Sequence, residues 1–210
     1  KIDDFFAQKF NNKSLNFYNS VDIRHSGDKI AVVDTNCFPA GFNNLVDQLP
    51  SSSFVSLFGF ESINGLESIF SHVPANSVRE LTSADYYLGD GTPLYDAISG
   101  AINQIKIGSV TSSNEKILFV VISDGIENSS TRYSLSDTQE AIRQEISNGW
   151  DIRFYGLGPD AASEAINLGI PIDDGSTFSP SQSGVDGAFD DIAGSLIQGN
   201  GESSCVRAIP

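Results

Sequence analysis

The unbroken apolar run Ile117-Leu118-Phe119-Val120-Val121-Ile122, closed by Ser123-Asp124-Gly125, constrains this chain more than any other feature. Its β-branched and aromatic residues leave no polar face, the pattern of a strand covered on both sides. Such a strand needs helices above and below it, and sheets built this way are mostly parallel. Lys29-Ile30-Ala31-Val32-Val33-Asp34 repeats the design, with a Ser26-Gly27-Asp28 turn signal before it and a carboxylate at its end. Further strands are predicted over Phe54–Phe60, Leu66–Val73, Asp151–Leu157 and Gly169–Ile172, the first two joined as a hairpin through Asn64-Gly65.

Helical spacing fills the gaps between these strands. Ile2, Phe5, Phe6 and Phe10, followed less regularly by Leu15, Phe17 and Tyr18, predict an N-terminal amphipathic helix. Phe42, Leu45, Val46 and Leu49 predict another, placed between a Pro39-Ala40-Gly41 break and Pro50. Thr92-Pro93 reads as an N-cap followed by a first-turn proline, leading into Leu94, Ala97, Ile98, Ala101, Ile102 and Ile105 on one face. Ser136 and Gln139 have capping-box spacing for a helix that Gly149 stops. Two more helices are expected over Pro159–Leu168 and Val185–Ile197. The expected fold class is therefore α/β: a Rossmann-like, doubly wound, mostly parallel central sheet with helices on both faces. Residues 1–28 read as a helical extension, 29–198 as the domain and 199–210 as a flexible tail.

Composition excludes several function classes. With 12 Lys+Arg against 27 Asp+Glu, the net charge of −15 repels phosphate backbones, so nucleic acid is not an expected partner. The apolar runs fall far short of the roughly 20 residues a spanning helix needs, so membrane insertion is not expected either. No methionine occurs, even at position 1, which predicts a processed or excised piece. That lack, the acidity and the hydroxyl-rich loops favour an extracellular or cell-surface setting over the cytoplasmic alternative. Cys37 and Cys205 form no metal motif with His25 and His72, and they are expected not to be bonded to each other. Asn12-Lys13-Ser14 and Asn128-Ser129-Ser130 fit the N-glycosylation acceptor pattern.

In open α/β sheets, ligands sit beyond the carboxyl ends of the strands. Asp34 and Asp124 both fall at such ends, and Thr92 begins a helix expected to start on the same side. Three oxygen-bearing side chains thus converge by topology. The simpler reading is turn chemistry for the two aspartates and helix capping for the threonine.

Three linked segments carry a family likeness: Leu81-Thr82-Ser83-Ala84-Asp85-Tyr86-Tyr87, Gly91-Thr92-Pro93-Leu94-Tyr95-Asp96-Ala97-Ile98 and Val121-Ile122-Ser123-Asp124-Gly125-Ile126-Glu127-Asn128-Ser129-Ser130. In order and spacing they resemble von Willebrand factor type A domains, over about Lys29 to Ile170. Gly149-Trp150-Asp151-Ile152-Arg153-Phe154-Tyr155-Gly156 is similar to the family's penultimate strand. The resemblance implies a metal-ion-dependent adhesion site, in which an Asp-x-Ser-x-Ser loop, a Thr and a later Asp hold a divalent ion. Asp34, Thr92 and Asp124 match; the two serine positions carry Asn36 and Phe38. Mg²⁺ demands near-octahedral oxygen ligation at about 2.0–2.1 Å, and Phe38 supplies no oxygen. The set Asp34, Asn36, Thr92 and Asp124 is therefore expected to bind Mg²⁺ or Ca²⁺ weakly or not at all, and no other cofactor is expected.

The function expected from this reading is a non-catalytic protein-binding module for adhesion, scaffolding or assembly, with a protein ligand. Its contacts are expected from the loops at the carboxyl edge, with Phe38, Asp90 and Glu127 as candidate contact residues. Phe38 has a second reading, a ring folded into the core beneath its loop. Two alternatives belong to other classes: a Rossmann-like hydrolase or phosphatase using Asp34 as nucleophile, and a cytosolic accessory factor of an ATPase-type machine. The phosphatase reading lacks a second acid, because position 36 is Asn. No GxxxxGK[ST] motif is present for P-loop nucleotide binding.

Overall fold

Two apolar clusters, one on each face of the strands, organise the fold. The computed structural model describes residues 37–50, 52–63, 65–82, 85, 91–108, 117–123, 126–157, 159–171, 177–178 and 182–198. The predicted helix over 2–18, strand over 29–34 and tail over 199–210 lie outside the described residues, as do Asp34, Asn36, Asp90, Asp124 and Cys205.

The first element among the described residues is helix α1, Cys37–Asp47. It corrects the expected break at Pro39-Ala40-Gly41, which lies inside the helix. Pro39 sits in the first turn, where backbone N–H groups have no intrahelical acceptor, so a proline there breaks no hydrogen bond. Gly41 is required for close packing: a Cβ at this position would collide with the Phe189 ring. Asn43 then pins the helix to a later segment, accepting from the Leu81 N–H at 2.8 Å and donating to the Leu81 carbonyl at 2.9 Å.

Strands β1, Phe54–Glu61, and β2, Gly65–Pro74, form the expected antiparallel hairpin, with Glu61 opposite Gly65. Gly65 takes φ +73°, a left-handed conformation that suits glycine at the end of a short hairpin turn. Helix α2, Leu94–Gly108, begins close to its expected start. The Ala97 N–H donates to the Pro93 carbonyl at 2.9 Å, which puts the cap one residue later than Thr92.

Strand β3, Leu118–Ser123, runs parallel to β4, Asp151–Leu157. Between them lies helix α3, Leu135–Ser147. Its capping box is formed by Ser134 and Asp137 rather than by Ser136 and Gln139. Gly149 ends it as expected: at φ +91° its N–H reaches the Ile146 carbonyl, and the Trp150 N–H reaches that of Glu145, both at 3.0 Å. This is the paired bonding of a Schellman cap. Helix α4 spans Pro159–Leu168, as expected. The strand expected over Gly169–Ile172 is not formed at residues 169–171. Gly169 and Ile170 instead close α4 with the same paired bonding, to Ile166 and Ala165. The strand that pairs parallel with β4 is β5, Thr177–Phe178. Helix α5, Gln182–Gln198, is longer than the expected last helix.

Strand alternation sorts the side chains onto the two faces. Leu118, Val120, Ile122 and Tyr155 pack with α1 and α5 through Phe38, Phe42, Val185, Phe189 and Ile192. Phe119, Val121, Ile152 and Phe154 pack with α2, α3 and α4 through Ile98, Ile102, Ile142 and Leu168. The described architecture is thus α/β, with a parallel three-stranded sheet, a separate two-stranded hairpin, and helices on both faces.

Candidate functional site

The start of α2 and the loop after β3, residues 126–134, meet at the carboxyl end of the parallel strands. Thr92 and Asn128 lock them together. The Thr92 N–H donates to Asn128 Oδ1 at 2.8 Å, and the Asn128 N–H donates to the Thr92 carbonyl at 3.2 Å. Gly91 lets the chain approach this closely, since a Cβ there would come within 2.8 Å of Ser129 Oγ, 3.0 Å of Ser62 Cβ and 3.1 Å of Asn128 Oδ1. The turn of the β1–β2 hairpin therefore reaches the same edge.

Two carboxylates hold the loop, Glu127 from within it and Asp96 from the first turn of α2. Glu127 accepts from the N–H groups of Tyr95, Ser129 and Ser130 at 3.0, 2.8 and 2.7 Å, and from Ser130 Oγ at 2.6 Å. Asp96 accepts from the successive N–H groups of Thr131, Arg132 and Tyr133 at 2.9, 2.9 and 2.8 Å. Burial raises the Asp96 pKa, but the backbone donors of Thr131, Tyr133 and Arg132 together outweigh it and hold this carboxyl below its ordinary range. The donors select the charged form.

A third carboxyl lies deeper. Glu164 on α4 is 3% exposed, and its Oε1 has no hydrogen-bond partner. Burial pushes its pKa up, the nearby Glu127 charge adds to this, and hydrogen bonds with Tyr95 and Asn167 oppose it. Burial likewise raises the Tyr95 phenol to about 12, with the Glu164 charge and hydrogen bond and the Glu127 charge contributing. A raised carboxyl pKa destabilises the fold as pH climbs from the ordinary glutamate value of about 4.3 through the folded one. Glu164→Gln keeps an acceptor for Tyr95 and cannot ionise. It should match the wild type near pH 4 and be more stable than it at pH 8, measured as urea midpoints. Equal midpoints at pH 8 would refute the buried-carboxyl account.

Of the expected metal set Asp34, Asn36, Thr92 and Asp124, Thr92 alone lies among the described residues, just before α2 and 2% exposed. Phe38 is corrected: its ring is 5% exposed, packed edge-on against Phe189 at 5.2 Å and stacked on Phe42 at 6.4 Å. It is a core residue and not an exposed anchor, because α1 begins at Cys37 and turns position 38 inward. Glu127, expected to meet a partner, is engaged with its own loop. Sequence reasoning missed Asp96, Glu164 and two exposed isoleucines, Ile63 at 76% and Ile126 at 54%. An isoleucine inside the Ser62-Ile63-Asn64-Gly65 turn, where polar residues are usual, was the available signal.

Of the ligand set implied by the resemblance, Asp34, Asn36 and Asp124 lie outside the described residues, and position 38, where the family pattern has a serine, holds a buried ring.

A family model described as GshA, glutamate-cysteine ligase, matches residues 1–142. By that match the chain belongs to the GshA family. The match includes residues 1–36, outside the described residues, and ends inside α3. Among solved structures the chain is similar to proximal thread matrix protein 1 from the mussel byssus, with a TM-score of 0.51 and 12% identity over 75% of this chain. It spans 39% of the length of that protein. A second structure of the same mussel protein, described as having a zinc-occupied MIDAS motif, gives a TM-score of 0.47 at 14% identity, covering 77% of this chain and 38% of that one. No curated protein matches. The first likeness concerns the fold, and it supports the von Willebrand factor A-like architecture expected from the sequence.

Proposed function

We propose that this chain is a non-catalytic protein-binding module that acts outside the cell, in adhesion or matrix assembly. Its binding face is the carboxyl edge of the sheet, and divalent metal binding there is weak or lost. One observation carries the reading: Asp96 from α2 and Glu127 from within the loop, two carboxylates described at this edge, are both engaged in holding residues 126–134 in place. A rigid loop binds without the cost of its own ordering. Ile126 and Ile63, rather than Phe38, are the apolar groups presented to a partner, at the loop and at the hairpin turn. The mussel protein's description as a thread matrix protein agrees with such a role.

The test is capture of partners from the native source by the wild type, by Ile126→Asp, and by Ile146→Asp on α3, each with and without chelator. The reading expects one partner lost specifically with Ile126→Asp and indifferent to chelator. Partners retained by Ile126→Asp, or lost on chelation, would reject it. Titration calorimetry should find weak or undetectable Mg²⁺ binding by the wild type, and tight binding would revive a metal-dependent contact.

The family match favours a second reading, condensation of glutamate with cysteine driven by a nucleoside triphosphate. Turnover of ATP that requires both amino acids would establish it. The binding-module reading expects none.

A further inference from the structure

We propose that Asn128 is an N-linked glycosylation acceptor, so that a glycan stands on the loop after β3. The Asn128-Ser129-Ser130 triplet meets the acceptor pattern, with a non-proline residue in the middle. Such triplets are common, and most of the weight therefore falls on how the folded chain presents this one.

Asn128 is exposed and lies in a loop rather than in a helix or strand. Its side chain is polarised between its two ends. Oδ1 accepts from the Thr92 N–H at 2.8 Å and lies on the Gly91 side. Nδ2, the atom that would carry the sugar, makes no hydrogen bond among the described residues. A glycosylated amide keeps its carbonyl oxygen, so the Thr92 lock survives attachment. The acceptor hydroxyl of Ser130 is bonded to Glu127 in the folded chain, at 2.6 Å. This is no obstacle when transfer precedes folding, and what the fold must then do is tolerate the product.

The donor is a lipid-pyrophosphate-linked oligosaccharide. Nδ2 forms a bond to its anomeric carbon, the bond from that carbon to the pyrophosphate oxygen breaks, and the lipid pyrophosphate departs with the electron pair. One amide proton passes to a base of the transferase. The product adds a bulky, solvated branch beside Thr92, on the loop that also carries Ile126.

The proposal rests on the extracellular reading, and its test separates the two. The full chain is expressed behind a heterologous secretion signal in eukaryotic cells, recovered from the medium, and treated with an N-glycan-releasing amidase in heavy-oxygen water. The tryptic peptide from Ile117 to Arg132 contains Asn128 as its single asparagine, so Asn12 cannot confuse the result. The wild type should yield heavy-oxygen aspartate at 128, Ser130→Thr should retain it, and Asn128→Gln and Ser130→Ala should lose the glycan. An unmodified wild-type peptide from the medium would overturn the proposal. A modified recombinant peptide alongside an unmodified native one would overturn the extracellular reading, and with it any use of the site in the native protein.

Discussion

Phe38→Ala is expected to lower stability by about 3–5 kcal/mol, the range for truncating a buried aromatic. The ring joins α1 to α5 through Phe189 and Phe42, and it lies in the cluster that also covers one face of β3. Gly41, one turn on, has no room for a side chain beneath Phe189, so the surroundings cannot collapse into the void from that side. Urea midpoints at neutral pH measure the loss; less than about 1 kcal/mol would mean the ring is not part of the core. The same burial changes how the metal question must be asked. Restoring serine at both variant positions would combine a ligand change with a core truncation, so Asn36→Ser alone is the cleaner probe of that loop.

Asp96→Ala should cost about 2–3 kcal/mol, because it strips the acceptor from three adjacent N–H groups at once. The variant should also change shape with pH. A carboxyl held below its ordinary value stabilises the fold above about pH 3.9 and loses that contribution as pH falls through the folded pKa. The wild type should therefore weaken between pH 5 and pH 3 more steeply than Asp96→Ala, with the two converging at the acid end. Parallel loss in both proteins would show that Asp96 is not the titrating brace of this loop.

Much of the fold was legible because local chemistry and burial agree. Asp151–Leu157 reads as a strand and Pro159–Leu168 as a helix in sequence and structure alike. Gly149 stops α3 because only a left-handed residue completes its cap. Ambiguity entered where two patterns share a spacing. Ser134 and Asp137 lie three residues apart, as do Ser136 and Gln139, and the short aspartate side chain at Asp137 closes the box. Pro39 misleads for a similar reason, since a proline that breaks a helix interior is harmless in a first turn.

The site was harder to read than the fold. Asp96 and Glu127 look like the acidic residues of a ligand site, yet their partners are backbone N–H groups, which a sequence does not display. Phe38 has the same limitation: an aromatic residue near a loop reads equally as anchor or as core until the helix phase is known. The β5 strand at Thr177–Phe178 is too short for any periodicity to reveal.

The central claim is that the edge formed by residues 91–93 and 126–134 meets a protein partner. Hydrogen exchange of the purified chain with and without its captured partner reads this directly, amide by amide. The account predicts slowed exchange concentrated in residues 126–134, around Ile126, and in the turn at Ile63, with little change along α3. Protection confined to α3 or α5, or none at the loop, would contradict it.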